Sequence, residues 1–217
     1  VMSCIILAAA IAEKRTGKSC LPELRAQVKK YHDAFFAEIA NIDETCFRAA
    51  IHFMDKGLLE VTADGHNFWS GRFVQAKILE LSGDVCSTID SENYMHVNSH
   101  MCPGSDIAEL VILNSNDGNV KNMANTVNAM VARGQREVLL FCDKTPEEVG
   151  ITEKVIYCHV PVPEKQWNFL APIYAYLPGS IFAGFRHTTL GEPMFRGGMD
   201  FSFFPATYCS PMEVVEL

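Results

Sequence analysis

The sequence lacks both a basic cluster and a long apolar run. Its 18 lysines and arginines are outnumbered by 26 aspartates and glutamates, which gives a formal charge of −8 at pH 7. A nucleic-acid surface needs a basic stripe that neutralises phosphates, so we predict no nucleic-acid partner. The apolar opening, residues 1–12, is too short to span a bilayer and lacks the basic start of a signal peptide. We therefore predict no membrane partner.

Motifs that mark metal, redox or nucleotide sites are absent as well. The eight cysteines form no CxxC pair, and the scattered histidines show no ligand spacing. We interpret the cysteines as reduced, buried thiols of a cytoplasmic protein. Neither the GxGxxG pattern nor the Walker pattern occurs, which argues against a bound nucleotide. The sequence therefore predicts neither a metal ion nor a cofactor.

The first third of the chain has the pattern of a helical arm. Residues 1–16 form an apolar helical pattern that stops at Gly17, and residues 21–42 carry apolar side chains at three- and four-residue steps. A third helix is predicted over residues 44–54, before Gly57. Because the chain begins inside an apolar helical pattern without a preceding cap, we expect an upstream segment.

From residue 58 onward, short apolar runs alternate with helical stretches, which is typical of a parallel sheet. Strands are predicted over residues 58–63, 84–90, 109–115, 136–143 and 154–161, and a closing helix over residues 166–185, bent at Pro172 and Pro178. The predicted fold is α/β, a three-layer α/β/α, doubly wound five-stranded parallel sheet. The predicted divisions are the arm at residues 1–57, the sheet domain at 58–190 and an irregular tail at 191–217.

Ligands of such sheets bind beyond the carboxyl ends of the strands, so the loops after the first three strands are the candidate site. After the first strand, Gly65, His66 and Asn67 form either a structural turn or a ligand-facing loop, and both interpretations stay open. After the third strand, Ser115 offers a hydroxyl, but Asp117 would repel an anion. We interpret this second turn as an Asx-type turn that starts a helix.

Lys77, Glu80 and His96 are the candidate acid–base residues. Residues three apart on a helix share a face, so Lys77 and Glu80 lie together, and His96 falls in the loop after the next strand. We hypothesise that Glu80 and His96 meet at one end of the sheet. The alternatives are a solvated charge at a helix end for Glu80 and a loop histidine bonded to the backbone for His96.

These residues carry a resemblance to a known family. FVQAKILELSG followed by DSENYMH resembles the helix and loop of the C-terminal sugar isomerase (SIS) domain in tandem-SIS phosphosugar isomerases and fructosamine-6-phosphate deglycases. The resemblance covers most of residues 58–200 and implies the SIS fold, which is flavodoxin-like. The arm is similar to the segment that joins two SIS domains, and residues 1–18 resemble the last helix of a first one.

The resemblance implies acid–base chemistry on an open-chain sugar phosphate without a metal. Glu80 matches the general base, His96 matches the proton shuttle, and Lys77 matches a lysine one turn before the glutamate. It also implies a homodimer, because the histidine loop of the family can reach a neighbouring subunit. The candidate substrate-binding residues are Gly65, His66, Asn67, Ser115, His100 and Arg196.

Two departures from the family pattern shape the functional prediction. The family's phosphate-binding Ser/Thr loop belongs to the first SIS domain and is absent here, so this chain alone should bind sugar phosphate weakly. Gly197 and Gly198 follow Arg196 where the synthase branch has a lysine, which favours the deglycase-like branch. The alternatives are a sugar-phosphate-binding module without turnover, and a truncated or decayed half that serves in dimerisation.

Overall fold

The protein is described by a computed structural model over residues 1–101 and 104–189, without the side chains of residues 188 and 189. The predicted tail at residues 191–217, and Arg196 within it, lie outside the described residues. Six of the eight cysteines are described and all six are free; Cys46, Cys86, Cys142 and Cys158 are buried as predicted, whereas Cys4 is exposed. Among the described residues, no helix has both the length and the apolar character needed to cross a membrane.

A five-stranded parallel sheet forms the centre of the molecule, as the sequence predicts. Its strands are β1 Leu58–Ala63, β2 Cys86–Ile89, β3 Ile107–Leu113, β4 Glu137–Cys142 and β5 Ile156–His159. They are arranged in the order β2-β1-β3-β4-β5, and every pair is parallel. All seven residues of β3 are buried, because helices cover both faces of the sheet.

The described residues form eight α-helices around the sheet. They are α1 Met2–Thr16, α2 Leu21–Ala37, α3 Ile39–His52, α4 Asn67–Leu81, α5 Ser91–His96, α6 Val120–Ala132, α7 Pro146–Val149 and α8 Leu177–Thr189. Short 3-10 segments occur at Asn98–His100, Gly104–Asp106 and Lys165–Ile173.

The two faces of the sheet carry different helices. On one face α3, α4 and α8 pack around a core that includes Phe53, Ile78 and Phe182. On the other face α5 and α6 pack on a second core that includes Tyr94 and Met130. The molecule is therefore the predicted three-layer α/β/α fold.

Two predicted helices are broken in the structure. The predicted helix over residues 21–42 ends at Ala37, and α3 begins at Ile39 rather than at residue 44. The closing helix predicted over residues 166–185 divides into the 3-10 segment Lys165–Ile173 and α8. Pro172 and Pro178 explain this second break, because proline lacks the N–H that an interior helical position needs and is tolerated in a first turn.

The predicted helical arm does not behave as one unit. Ile42, Cys46 and Ala49 of α3 are fully buried in the core beneath α8, so α3 belongs to a covering layer of the sheet. In α1 only Ala9 is buried. The domain division at residue 57 stays a prediction, but the packing of α3 continues across it.

Candidate functional site

A polar cleft lies at the carboxyl ends of β1 and β3, where the strand order reverses. Its volume is about 380 Å³, and its lining consists of Asp64, Gly65, His66, Asn116, Asp117, Gly118, Asn119 and Asn168. Ligands of doubly wound sheets bind at this position because the loops diverge there. The cleft occupies the place that the sequence predicts.

Asp64 joins the loops that follow three neighbouring strands. It comes directly after β1, and its carboxylate accepts hydrogen bonds from the Ser91 amide at 2.8 Å, the Ser91 hydroxyl at 2.6 Å and Asn119 Nδ2 at 2.5 Å. Asn122 Nδ2 donates to the Ser91 hydroxyl at 2.9 Å. Because Ser91 begins α5 and Asn119 precedes α6, one buried carboxylate fixes the floor of the cleft.

Asp117 is the second carboxylate of the cleft. It accepts hydrogen bonds from Asn67 Nδ2 at 3.1 Å and from Asn168 Nδ2 at 2.8 Å. Asn114 Nδ2 donates to Asn168 Oδ1 at 2.8 Å, which extends the network to the end of β3. Burial raises the pKa of the Asp117 carboxyl, because desolvation disfavours its charged form.

The turn after β3 has the predicted Asx geometry. The backbone amide of Asn116 donates to Asn114 Oδ1 at 2.9 Å, and α6 starts a few residues later at Val120. Asparagine favours such turns because its side chain replaces a backbone acceptor two residues away. The Asx interpretation is confirmed, and the same turn also lines the cleft.

Asn67 presents an unused acceptor next to this network. Its side chain is buried, its Nδ2 is bound to Asp117, and its Oδ1 accepts no hydrogen bond from the described residues. A buried acceptor without a donor is costly, so a hydroxyl or water donor at this position would be stabilised.

The chemical character of the cleft suits a hydroxyl-rich ligand better than a bare anion. Its lining combines two carboxylates, three asparagines and one histidine, and it contains no lysine or arginine among the described residues. Carboxylates accept hydrogen bonds from hydroxyl groups, and the side-chain amides of asparagine both accept hydrogen bonds from them and donate to them. The first turn of α6 begins beside the cleft, and its backbone amides are the groups there that favour a phosphate. At the start of α4 the amides of Asn67 and Phe68 already donate to the carbonyls of Asp64 and Gly65.

The structure brings some of the predicted substrate-binding residues into this cleft. Gly65 and His66 line it, and Gly65 has a φ of +55°, a left-handed turn conformation that favours glycine. Both interpretations of Gly65 are therefore compatible with the structure. Asn67 lies behind the lining, where it binds Asp117.

The other predicted substrate-binding residues are not part of the cleft lining. The Ser115 hydroxyl donates to Asp143 Oδ2 at 2.5 Å, so it is occupied at the end of β4. His100 is exposed at the end of the segment Asn98–His100. Arg196 lies outside the described residues.

Glu80 and His96 do not meet within one chain. Glu80 lies in the last turn of α4, exposed, and its carboxylate pairs with Lys77. His96 is the last residue of α5 rather than a loop residue, and its Nε2 lies 3.2 Å from Glu92 Oε1. Because α4 and α5 cover opposite faces of the sheet, the hypothesis that the two groups meet at one end of it is not fulfilled within one chain. Their catalytic roles stay predictions.

An aromatic cleft of about 430 Å³ lies along α4, lined in part by Trp69, Phe73 and Tyr176. The Phe73 and Tyr176 ring centroids are 4.8 Å apart, and Lys77 Nζ lies 5.3 Å from the centroid of Phe73. Residues 69, 73, 77 and 80 recur at helical spacing, so these aromatic rings share one exposed face with the Lys77–Glu80 pair.

The sequence prediction missed several polar residues of the first cleft. Asp64 in the lining and Ser91 bound to it lie within two residues of a strand end, whereas Asn119 directly precedes α6; these positions were the available signals. Asn168 comes from the 3-10 segment Lys165–Ile173, which is far along the chain, so no local pattern connects it with the other loops. Within the described residues, no group of three or more histidine, cysteine or acidic side chains is placed to hold a metal ion.

No known protein-family profile matches the sequence, and no curated protein sequence is significantly similar to it. Solved structures do resemble it. The C-terminal domain of glucosamine-fructose-6-phosphate aminotransferase from Francisella tularensis matches with a TM-score of 0.65 and 16% identity, over 78% of this chain and 45% of that chain. Tagatose-6-phosphate ketose/aldose isomerase from Escherichia coli matches with a TM-score of 0.59 and 12% identity, over 80% of this chain and 46% of that chain.

A third match is the NanR protein of Vibrio vulnificus in complex with ManNAc-6P, with a TM-score of 0.59, 11% identity and coverage of 85% of this chain and 67% of that chain. At such identities the similarity establishes the fold, which is the SIS fold predicted from the sequence. The chain spans about half the length of the first two structures, 45% and 46%.

Proposed function

We propose that the chain binds a phosphorylated sugar and forms part of an aldose–ketose isomerase or a fructosamine-6-phosphate deglycase-like enzyme. The observation that carries this proposal is the cleft at the ends of β1 and β3, where Asp64, Asp117 and three asparagines face one space in an SIS fold. Solved structures with this fold include two proteins whose names refer to sugar phosphates and one protein in complex with ManNAc-6P.

The polar groups of the cleft would bind the hydroxyl groups of the sugar. Asn119 and Asn116 donate through Nδ2 to Asp64 and to the Pro163 carbonyl, so their side-chain oxygens are the atoms that face a ligand as acceptors, and Asp117 is an acceptor with two oxygens. The phosphate would face the first turn of α6, where the negative charge of Asp117 partly offsets the attraction of the backbone amides. We therefore expect weak binding by residues 1–217 on their own.

The catalytic part of the proposal assigns proton transfer to two side chains. Glu80 would remove a proton next to the carbonyl or imine of the open-chain sugar, and His96 would move protons to the sugar oxygens or the leaving amine. Lys77 would neutralise charge beside Glu80, with which it pairs. Neither side chain lines the cleft of its own chain, and the two lie on opposite faces of the sheet, so one active site would bring them from different copies of the protein to the sugar.

Binding is tested by titrating the full chain with fructose 6-phosphate and following ligand-observed NMR signals. We expect saturation with fructose 6-phosphate, and weaker responses to fructose or inorganic phosphate alone. Replacing Asn119 with alanine removes its side-chain oxygen from the cleft and its hydrogen bond to Asp64, and should weaken binding about fivefold. Asn125→Ala is the matched control, because Asn125 is an exposed asparagine elsewhere on α6. Equal affinities of the two variants would contradict this assignment of the cleft.

A second candidate is a sugar-phosphate-binding or dimerisation module without turnover. The exposure of Glu80 and His96, each paired with a residue of its own helix, favours this alternative. Incubation with fructosamine 6-phosphates separates the candidates. A module gives saturable binding without release of ammonia or an amino acid, whereas an enzyme gives product.

A further inference from the structure

Three charged side chains are buried together beneath α5. Glu60 of β1 and Glu109 of β3 are register neighbours on adjacent strands, and Arg136 precedes β4; all three are buried. One guanidinium nitrogen, Arg136 Nη1, contacts both carboxylates, with a distance of 2.7 Å to Glu60 Oε2. The ring of Tyr94 covers the guanidinium, 4.7 Å away.

The charges of this cluster do not balance when both carboxylates are ionised. Two negative charges and one positive charge would leave one uncompensated negative charge in the interior, which is strongly unfavourable. A proton bound to one carboxyl restores neutrality. Burial, with the neighbouring Glu60 charge, raises the pKa of Glu109 to about 8, although Arg136 opposes the shift.

The cluster is attached to the segment that follows α5. Asn98 Nδ2 donates to Glu60 Oε1, and the Asn98 carbonyl accepts from Arg136 Nη2. Strands β1 and β3 are fixed by their ladder, whereas residues 94–100 are held over the cluster through Asn98 and Tyr94. Gln135, at a φ of 55°, turns the backbone immediately before Arg136.

We propose that Glu60, Glu109 and Arg136 form a proton-dependent latch that holds residues 94–100 against the sheet. With the proton bound, the cluster is neutral and the segment is closed. When the proton is lost, the segment opens at Asn98 and water reaches the carboxylates. His96 lies in this segment, so the latch sets its position whether the protein turns over a ligand or only binds it.

The other groups around the cluster do not supply the proton. Tyr94 of α5 and Cys86 of β2 face it, and burial raises the pKa of each to about 12, so both stay neutral over the relevant range. Thr62 and Ser87 contribute uncharged hydroxyls, and α6 faces Tyr94 with the apolar Met130. Nearby charges are paired elsewhere, namely Asp84 with Arg186, Glu137 with Lys56, and His96 with Glu92.

The direction of the pH dependence follows from linkage. The pKa of the Glu109 carboxyl is 4.5 when the group is exposed and about 8 when it is buried, so the closed state binds the extra proton. Opening releases that proton and becomes about tenfold more favourable per pH unit within this interval. Below the interval both states are protonated, and above it both are ionised, so the dependence disappears at either side.

Hydrogen–deuterium exchange of the full chain tests the latch. After correction for intrinsic exchange, the protection factor of peptides covering residues 92–100 should fall about tenfold per pH unit between about pH 5.5 and 7.5. Above about pH 8 the protection factor should become constant. Glu109→Gln keeps the shape of the side chain but cannot ionise, so residues 92–100 of this variant should remain protected across this range. The exposed Glu147 provides the matched control, because Glu147→Gln should keep the wild-type dependence.

A second variant keeps the test decisive if Glu109→Gln does not fold. Asn98→Ala removes the side-chain link to Glu60, so protection of residues 92–100 should fall at least about tenfold at pH 6 while β4 keeps its protection. Unchanged protection in Asn98→Ala, or a segment without pH dependence in the wild type, would overturn the proposal.

Discussion

At the scale of single residues, Arg186 of α8 is a buried cation with several hydrogen bonds, apart from both the polar cleft and the Glu60–Glu109–Arg136 cluster. Its Nε donates to Asp84 Oδ2 at 2.9 Å, and its Nη groups donate to the carbonyls of Phe53 and Lys56. Arg186→Met would remove the guanidinium partner of the buried Asp84 carboxylate and one hydrogen-bond donor from each of the Phe53 and Lys56 carbonyls. We expect a loss of roughly 3–5 kcal/mol in the free energy of unfolding, measured by urea denaturation at pH 7.

Arg48→Met is the control for this prediction, since Arg48 is exposed on α3. Its free energy of unfolding should stay within about 0.5 kcal/mol of the wild type. If Arg186→Met were as stable as this control, the ion pair between Arg186 of α8 and Asp84, which precedes β2, would not stabilise the fold.

The sequence predicts the position of a residue, though not its binding role, where the end of a strand decides that position. Gly65, His66 and Asn67 were predicted at the candidate site because they directly follow a strand, and the structure places them in or behind the cleft. The predicted contact between Glu80 and His96 shows what sequence spacing cannot predict. Sequence spacing cannot tell which face of a sheet a helix covers, and α4 and α5 cover opposite faces.

At the scale of elements, the first and third of the three helices before β1 differ in packing: α1 is largely exposed, whereas α3 forms part of the core. Ile42 of α3 is fully buried, whereas Ile11 of α1 remains 46% exposed. Ile42→Ala should therefore lower the free energy of unfolding by about 2–5 kcal/mol. The matched substitution Ile11→Ala should change it by less than about 0.5 kcal/mol, as for other surface positions. Thermal and urea unfolding of the two variants measure the difference.

Equal losses in the two variants would mean that α1 and α3 form one structural unit, as the predicted arm at residues 1–57 implies. The sequence did not separate them, because apolar residues continue at three- and four-residue steps across Glu38 into Ile39 and Ile42. The change of helix between Ala37 and Ile39 arises from packing, since α3 turns its apolar face toward the sheet while α2 packs on Leu170 and Tyr174. The strands were predictable because their apolar runs are short and separated by turns.

At the scale of the whole molecule, the placement of Glu80 and His96 makes a prediction about assembly. If both act on one sugar phosphate, the two groups come from different copies, because the sheet separates them within each chain. The exposed apolar side chains of α1 and α4, which include Leu7 and Trp69, provide surface that such an assembly could cover. We therefore expect a homodimer in sedimentation analysis.

Mixing of two inactive variants tests the shared site. Glu80→Gln and His96→Asn should each lose turnover of the sugar phosphate, since each removes one proton-transfer group. After unfolding and refolding together, half of the dimers carry one variant of each kind, and each of these restores one complete site. About a quarter of wild-type turnover should therefore return, by the symmetry of a two-fold dimer. A mixture that forms mixed dimers yet stays inactive would show that Glu80 and His96 do not meet across two copies.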